Sequence, residues 1–133
     1  DTAPQIVQAI RMEMRRGRSS DISIPQFRTL RFIQCNPDSS LSHLAEHLGL
    51  TLPSVSKLVD GLVKQKMVTR KSSTTDRRKI TLMLTQAGAS IVDSARAGAR
   101  SNLAQKLKSL SDDELKTILQ AMQILRPIFV QSK

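Results

Sequence analysis

The tightest constraint on how this chain folds is Gly49-Leu50-Thr51, which joins two amphipathic segments whose apolar residues recur at helical spacing. Leu41, Leu44, Ala45 and Leu48 make the stripe of a short first segment, from about Ser42 to Leu48, and Gly49 suits the left-handed residue that commonly stops a helix. Thr51 then supplies a side-chain cap and Pro53 is tolerated in a first turn, so a second helix is expected to continue to about Lys66. Two helices joined by three residues have the form of a helix-turn-helix. Steps of about 100° put Val55, Leu58, Val59, Leu62 and Val63 on one side of the second helix and Pro53, Ser56, Lys57, Asp60 and Lys64 on the other. One side is core, and the opposite side is polar and basic.

The flanking segments are helical as well. Thr2-x-x-Gln5, Ser23-x-x-Gln26 and Ser111-x-x-Glu114 each have capping-box form. A first helix is expected over about 3–16, with Ile6, Val7, Ile10 and Met14 on one face. A second uses Phe27, Leu30 and Ile33 and is ended by Asn36-Pro37. After the helix-turn-helix, residues 67–71 and 79–84 read as two strands, the latter alternating Ile80, Leu82 and Leu84 against Lys79, Thr81 and Met83, and Ser72–Arg77 forms a polar hairpin tip. A long helix follows over about 85–108, with Ala87, Ile91, Ala95, Leu103 and Leu107 as its apolar positions. A last helix starts at Asp112 with the stripe Leu115, Ile118, Leu119, Met122 and Leu125, and Pro127 is expected to kink or end it.

Charge separates the partners this fold can take. The 133 residues carry a formal net charge of +10, and residues 57–79 hold eight basic side chains against two acids, which is +6 of that total. Residues 1–56 contribute only +1. A field concentrated on the basic helix and hairpin favours an anionic polymer over a diffusely solvated surface. With no Trp or Tyr and only three Phe, the chain is poorly supplied with stacking platforms, which disfavours single-stranded or RNA recognition. No apolar run spans a membrane and no leader pattern is present, and the lone Cys35 makes no internal disulfide, so a cytoplasmic location is expected.

The order helix, helix, short helix, turn, basic helix, two-stranded wing, long helix resembles the MarR family of bacterial regulators. Asp76-Arg77-Arg78 followed by Leu82-x-Leu84-Thr85-x-x-Gly88 is similar to that family's wing signature, and Pro25-Gln26-Phe27-Arg28 to its second-helix entrance. The resemblance covers nearly the whole chain. It implies a mainly α fold, a winged helix-turn-helix with a two-stranded β wing. Residues 22–88 would form the DNA-binding lobe, and residues 1–21 and 89–133 a helical dimerisation region of one chain. It further implies a homodimer on a pseudo-palindromic double-stranded operator, with repression relieved by a small-molecule effector.

The residues expected on DNA are Pro53, Ser54, Ser56, Lys57, Lys64, Lys66, Arg70, Lys71, Asp76, Arg77, Arg78 and Lys79. The N-terminal half of the basic helix would meet base edges, Lys64 and Lys66 would lie nearer phosphate, and Arg78 would enter the minor groove. Asp76 would hold Arg77 or Arg78 in place. Lys66 stands where many members of the family have Gly, which puts the turn before the first wing strand under a backbone constraint.

Two further patterns invite other functions. His43-Leu44-Ala45-Glu46-His47 has the spacing of a helical zinc motif but no evident third ligand, so solvent-facing histidines are expected and no metal is assigned. Cys35 reads as a small buried residue, with thiol sensing as the alternative. There is no G-x-x-x-x-G-K loop, no G-x-G-x-x-G after a strand and no nucleophile–base constellation, so neither a cofactor nor an enzyme is expected. Non-specific or architectural DNA binding is the runner-up, and a small metal-dependent enzyme stands third.

Overall fold

Local capping chemistry sets most of the element boundaries. The computed structural model describes residues 1–18, 21–72 and 80–129. In chain order these form α1 (Thr2–Arg16), α2 (Ile24–Cys35), β1 (Ser39–Ser40), α3 (Leu41–Leu48), α4 (Leu52–Lys64), β2 (Val68–Ser72), β3 (Ile80–Leu84), α5 (Gln86–Leu107) and α6 (Asp112–Phe129).

Two of the three expected capping boxes close. The Ser23 hydroxyl accepts from the Gln26 N–H at 3.3 Å while the Gln26 side chain accepts from the Ser23 N–H at 2.9 Å. At the start of α6, Ser111 N–H donates to the Glu114 carboxylate at 2.7 Å and Ser111 Oγ accepts from the Glu114 N–H at 3.3 Å. The third does not form, because α1 takes Asp1 as its N-cap with no side-chain bond and Thr2 is already helical.

The chain divides into two compact units, Asp1–Ala99 and Arg100–Lys133. In the first, Ile22, Leu30, Ile33, Leu44, Val55, Val59, Leu62, Val68, Leu82 and Val92 are almost completely buried in one core. Each such side chain is worth about 1.5–3 kcal/mol relative to exposure, and together they fix α4 with its apolar side inward. On α5 the buried positions within this unit are Gly88, Val92, Ala95 and Ala99, whereas Ala87 is exposed and Ile91 only half-buried. Ala95 is buried as expected, while Gly88 and Val92 take the buried places expected of Ala87 and Ile91.

The wing strands pair antiparallel in the expected order, Arg70 opposite Leu82 and Lys71 opposite Thr81. A third strand joins them. The two residues of β1 pair with the other edge of β3, Ser39 opposite Leu82 and Ser40 opposite Thr81, giving the order β1-β3-β2. Two serines after a proline carry no strand signature, so this pairing is set by tertiary context. In the second unit α6 continues through Pro127 to Phe129. A proline in a last turn removes one backbone bond and leaves little helix beyond it to bend.

The ends of α3 and α4 use the same backbone device with different residues. At α3, Leu50 N–H bonds the Ala45 carbonyl at 3.0 Å and Gly49 N–H the Glu46 carbonyl at 3.2 Å, with Gly49 left-handed at φ 66°. At α4, Met67 N–H bonds the Leu62 carbonyl at 2.9 Å and Lys66 N–H the Val63 carbonyl at 2.9 Å. Both have the hydrogen bonds of a Schellman stop. In the second it is Lys66 that is left-handed, at φ 58°.

Three measurements check this account. Lys66→Gly relieves about 1–2 kcal/mol of left-handed strain against about 0.5–1 kcal/mol of added chain entropy, so it should stabilise the fold by about 0.5–1 kcal/mol in urea melts, whereas Lys66→Ala should not. Gly88→Ala sets a methyl 2.2 Å from the Met67 carbonyl oxygen, and should cost about 1–3 kcal/mol. The Glu114 carboxyl lies below its usual 4.5 because the Ser111 N–H and then the Ser111 hydroxyl bond its charged form, outweighing desolvation. That stabilisation is present above about pH 4.5 and lost as pH falls through the lowered value. The stability difference between wild type and Glu114→Gln should vanish over that acid range.

Candidate nucleic-acid interface

The exposed side of α4 is built from its first turn. Ser40 caps α3 by accepting from the His43 N–H at 3.1 Å, and Thr51 caps α4 by accepting from the Ser54 N–H at 3.4 Å. With Val55, Val59 and Leu62 buried, Pro53, Ser54, Lys57 and Lys64 are exposed and Ser56 is half-buried. Ser54 is less available than its position suggests, because the Thr51 hydroxyl bonds its oxygen at 2.9 Å.

Lys66, Arg70 and Lys71 continue the cationic surface from the end of α4 onto β2, all exposed. Arg70 is not an independent cation. Its guanidinium lies 2.7 Å from the Asp60 carboxylate, so a side chain on the polar side of α4 ties the basic helix to the first wing strand. Sequence reasoning placed Asp60 on the right side of the helix without finding its partner, since a contact between helix and strand has no periodic signal. Asp76, Arg77 and Arg78, expected on the wing hairpin, and Lys79, expected to begin its second strand, lie outside the described residues.

A second feature went unforeseen. Ser23 and Gln26, at the entrance of α2, border the same shallow surface depression as Ser54 and Lys57, so the capping box of α2 flanks the N-terminal half of α4.

The joint between α4, β2 and α5 gives physical meaning to the Leu82-x-Leu84-Thr85-x-x-Gly88 pattern. Thr85 N–H donates to the Met67 carbonyl at 3.0 Å, its hydroxyl donates to the Lys66 carbonyl at 2.7 Å, and the same oxygen accepts from the Gly88 N–H at 3.1 Å. Gly88 has no side chain because Met67 occupies the space. Residues 20–79 match the model of the MarR family.

Over that stretch the chain is similar to the MarR family. The chain is 29% identical over 105 residues, 79% of its own length, to the uncharacterized HTH-type transcriptional regulator YfiV of Bacillus subtilis, and spans 66% of that relative. Among solved structures, the transcriptional regulator Tm0710 of Thermotoga maritima matches it with a TM-score of 0.86 at 22% identity, covering 96% of this chain and 90% of that one. A MepR mutant of S. aureus bound to an oligodeoxyribonucleotide matches with a TM-score of 0.66 at 22% identity, covering 93% of this chain and 89% of that one. At these identities the two structures share the winged-helix fold.

The remaining chemical candidates resolve differently. His43 and His47 are exposed, and both rings pack on Phe32, His43 edge-on at 5.9 Å and His47 tilted at 4.6 Å. Among the described residues no group of three or more His, Cys, Asp or Glu converges as a metal site. Cys35 is exposed, contrary to the expectation of a buried thiol, because it sits on the last turn of α2 two positions past Ile33, where the core face ends. No helix among the described residues is long and apolar enough to cross a membrane.

Asp60 yields a test of this surface. Its ion pair with Arg70 is partly exposed, so Asp60→Asn should cost less than about 1 kcal/mol of stability. Removing an acid and releasing Arg70 should tighten binding to random duplex and steepen its salt dependence by about one phosphate contact. Fluorescence anisotropy across a salt series checks both.

Proposed function

We propose that the chain is a sequence-specific double-stranded DNA-binding regulator of transcription that works as a homodimer, blocking transcription until an effector loosens its grip. The observation that carries this reading is the exposed polar and cationic side of α4, continuous with Lys66, Arg70 and Lys71 and backed by an apolar core that fixes its orientation. A helix so mounted enters a major groove with its N-terminal half toward base edges, where Ser56 and Lys57 select sequence, while Lys64 and Lys66 meet phosphate. Arg78, at the hairpin tip, is assigned to the adjacent minor groove, where flanking phosphates make the potential most negative. The DNA-bound state of the structurally similar MepR mutant supports the same docking here.

The dimer rests on apolar surface left uncovered in the single chain. Ile6, Val7 and Ile10 on α1 are each more than 40% exposed, and on α6 Leu119 and Met122 are more than half exposed. Apolar stripes of this length require a covering surface. A symmetry mate supplies one and pairs two recognition helices, so the operator would be a pseudo-palindrome with half-sites about one helical turn apart.

Three outcomes are expected. A selected operator should outcompete random duplex at fixed salt, and its affinity should fall about 10³–10⁵-fold between 50 and 200 mM salt if about 6–10 phosphates are neutralised. Arg78→Ala should weaken binding with the fold intact, and Lys57→Ala should shift base preference. Inserting about 5 base pairs between half-sites should sharply weaken binding. Equal affinity for operator and random duplex would replace this reading with architectural DNA binding.

A further inference from the structure

We propose that Leu52 reads thymine in the major groove, laying its side chain on the methyl group that thymine alone among the bases carries there. This contact rests on the DNA-binding reading above and deepens it, giving the basic helix a residue that selects by apolar contact. Thr51 caps α4, so Leu52 is its first helical residue, and it is 50% exposed. The preceding leucine, Leu50, is exposed too, but local structure accounts for it. Its N–H closes the stop of α3 on the Ala45 carbonyl, and it stands just before the cap of α4 with Val55 buried in the following turn, a place where an apolar side chain staples a helix start. The first helical position takes part in neither motif, so nothing local requires a leucine at Leu52.

Its place on the helix decides what it meets. At about 100° per residue Leu52 shares a side with Ser56 and Asp60, beside the row of Pro53, Lys57 and Lys64. Ser56 is half-buried and Asp60 turns to Arg70 on the first wing strand, so of the three only Leu52 is exposed. Lys57 and Lys64 stand exposed on the adjacent row, and their charge draws this side of α4 to a polyanion. Base edges in the major groove present donors and acceptors, with the methyl of thymine as the apolar exception. Pressing a leucine on a donor or acceptor strips that group of water and gives it no partner, whereas pressing it on a methyl removes apolar surface from water on both sides. Leu52 precedes Ser56 by about one helical turn, so the thymine it meets flanks the bases assigned to Ser56 and Lys57.

A double-mutant cycle isolates the contact. Each thymine of a selected operator is replaced in turn by deoxyuridine, which lacks only the methyl, and the affinity of the full chain is measured by fluorescence anisotropy at fixed salt. In the wild type one position of each half-site should lose about fourfold, the worth of one methyl-sized group taken out of water. Leu52→Ala, shown to be folded by circular dichroism, should bind thymine and deoxyuridine alike at that position, and Leu52→Met should keep the discrimination. With cytosine placed there, its replacement by 5-methylcytosine should strengthen wild-type binding by about fourfold and leave Leu52→Ala unchanged. Equal wild-type affinity for every substituted operator would overturn the inference and leave sequence-specific binding standing. Discrimination that survives in Leu52→Ala would also overturn it, by assigning the methyl to another side chain. Failure to select any duplex would overturn the DNA-binding reading itself, and this contact with it.

Discussion

The lobe depends on the close approach of two backbones at Met67 and Gly88. There the chain leaves α4, enters the wing, and after the hairpin returns to begin α5 against its own earlier turn. Thr85 engages the carbonyls of Lys66 and Met67, and a Cβ at Gly88 would meet the Met67 oxygen at 2.2 Å. The exit of the basic helix, the base of the wing and the entrance of the long helix are thus one hydrogen-bonded joint. Where the cationic side chains point follows from it, since α4 and β2 both hang from this turn.

Where local chemistry decides an element, the sequence was legible. Ser23, Thr51 and Ser111 cap as their neighbours demand, Gly49 takes the left-handed turn, and the apolar side of α4 is buried as its spacing requires. Where a distant partner decides, it was not. Ser39 and Ser40 become a strand only because β3 offers an open edge, and the buried line of α5 follows the close fit at Gly88 and not the largest side chains. Thr2 matched a cap pattern one residue too late, because Asp1 was free to take the position.

Charge was legible in one region and hidden in another. The cluster 57–79 stands out because its cations are neighbours in sequence, and the described part of it forms an exposed surface. Residues 1–56 look almost neutral because Glu13, Asp21 and other acids alternate with arginines along the chain. Space does not preserve that alternation. Glu13 is buried, 3.4 Å from Arg16, whereas five of the six arginines in that stretch turn to one groove. A running sum averages over residues that folding separates. The Asp60–Arg70 pair shows the converse, two opposite charges ten residues apart that folding brings together.

The two-residue strand β1 has a mechanical consequence. It ends at Ser40, the residue that caps α3, and its other side is stitched to Leu82 and Thr81 in the wing. The first helix of the helix-turn-helix and the hairpin are therefore yoked through a single sheet, while Asp60 and Arg70 brace the second helix against the same strands. A lobe braced at both helices resists bending within itself. So long as the sheet stays intact, a load applied to any one of these elements is shared by the others, and the lobe answers as a rigid lever that leaves the shape of its exposed α4 and β2 surface unchanged.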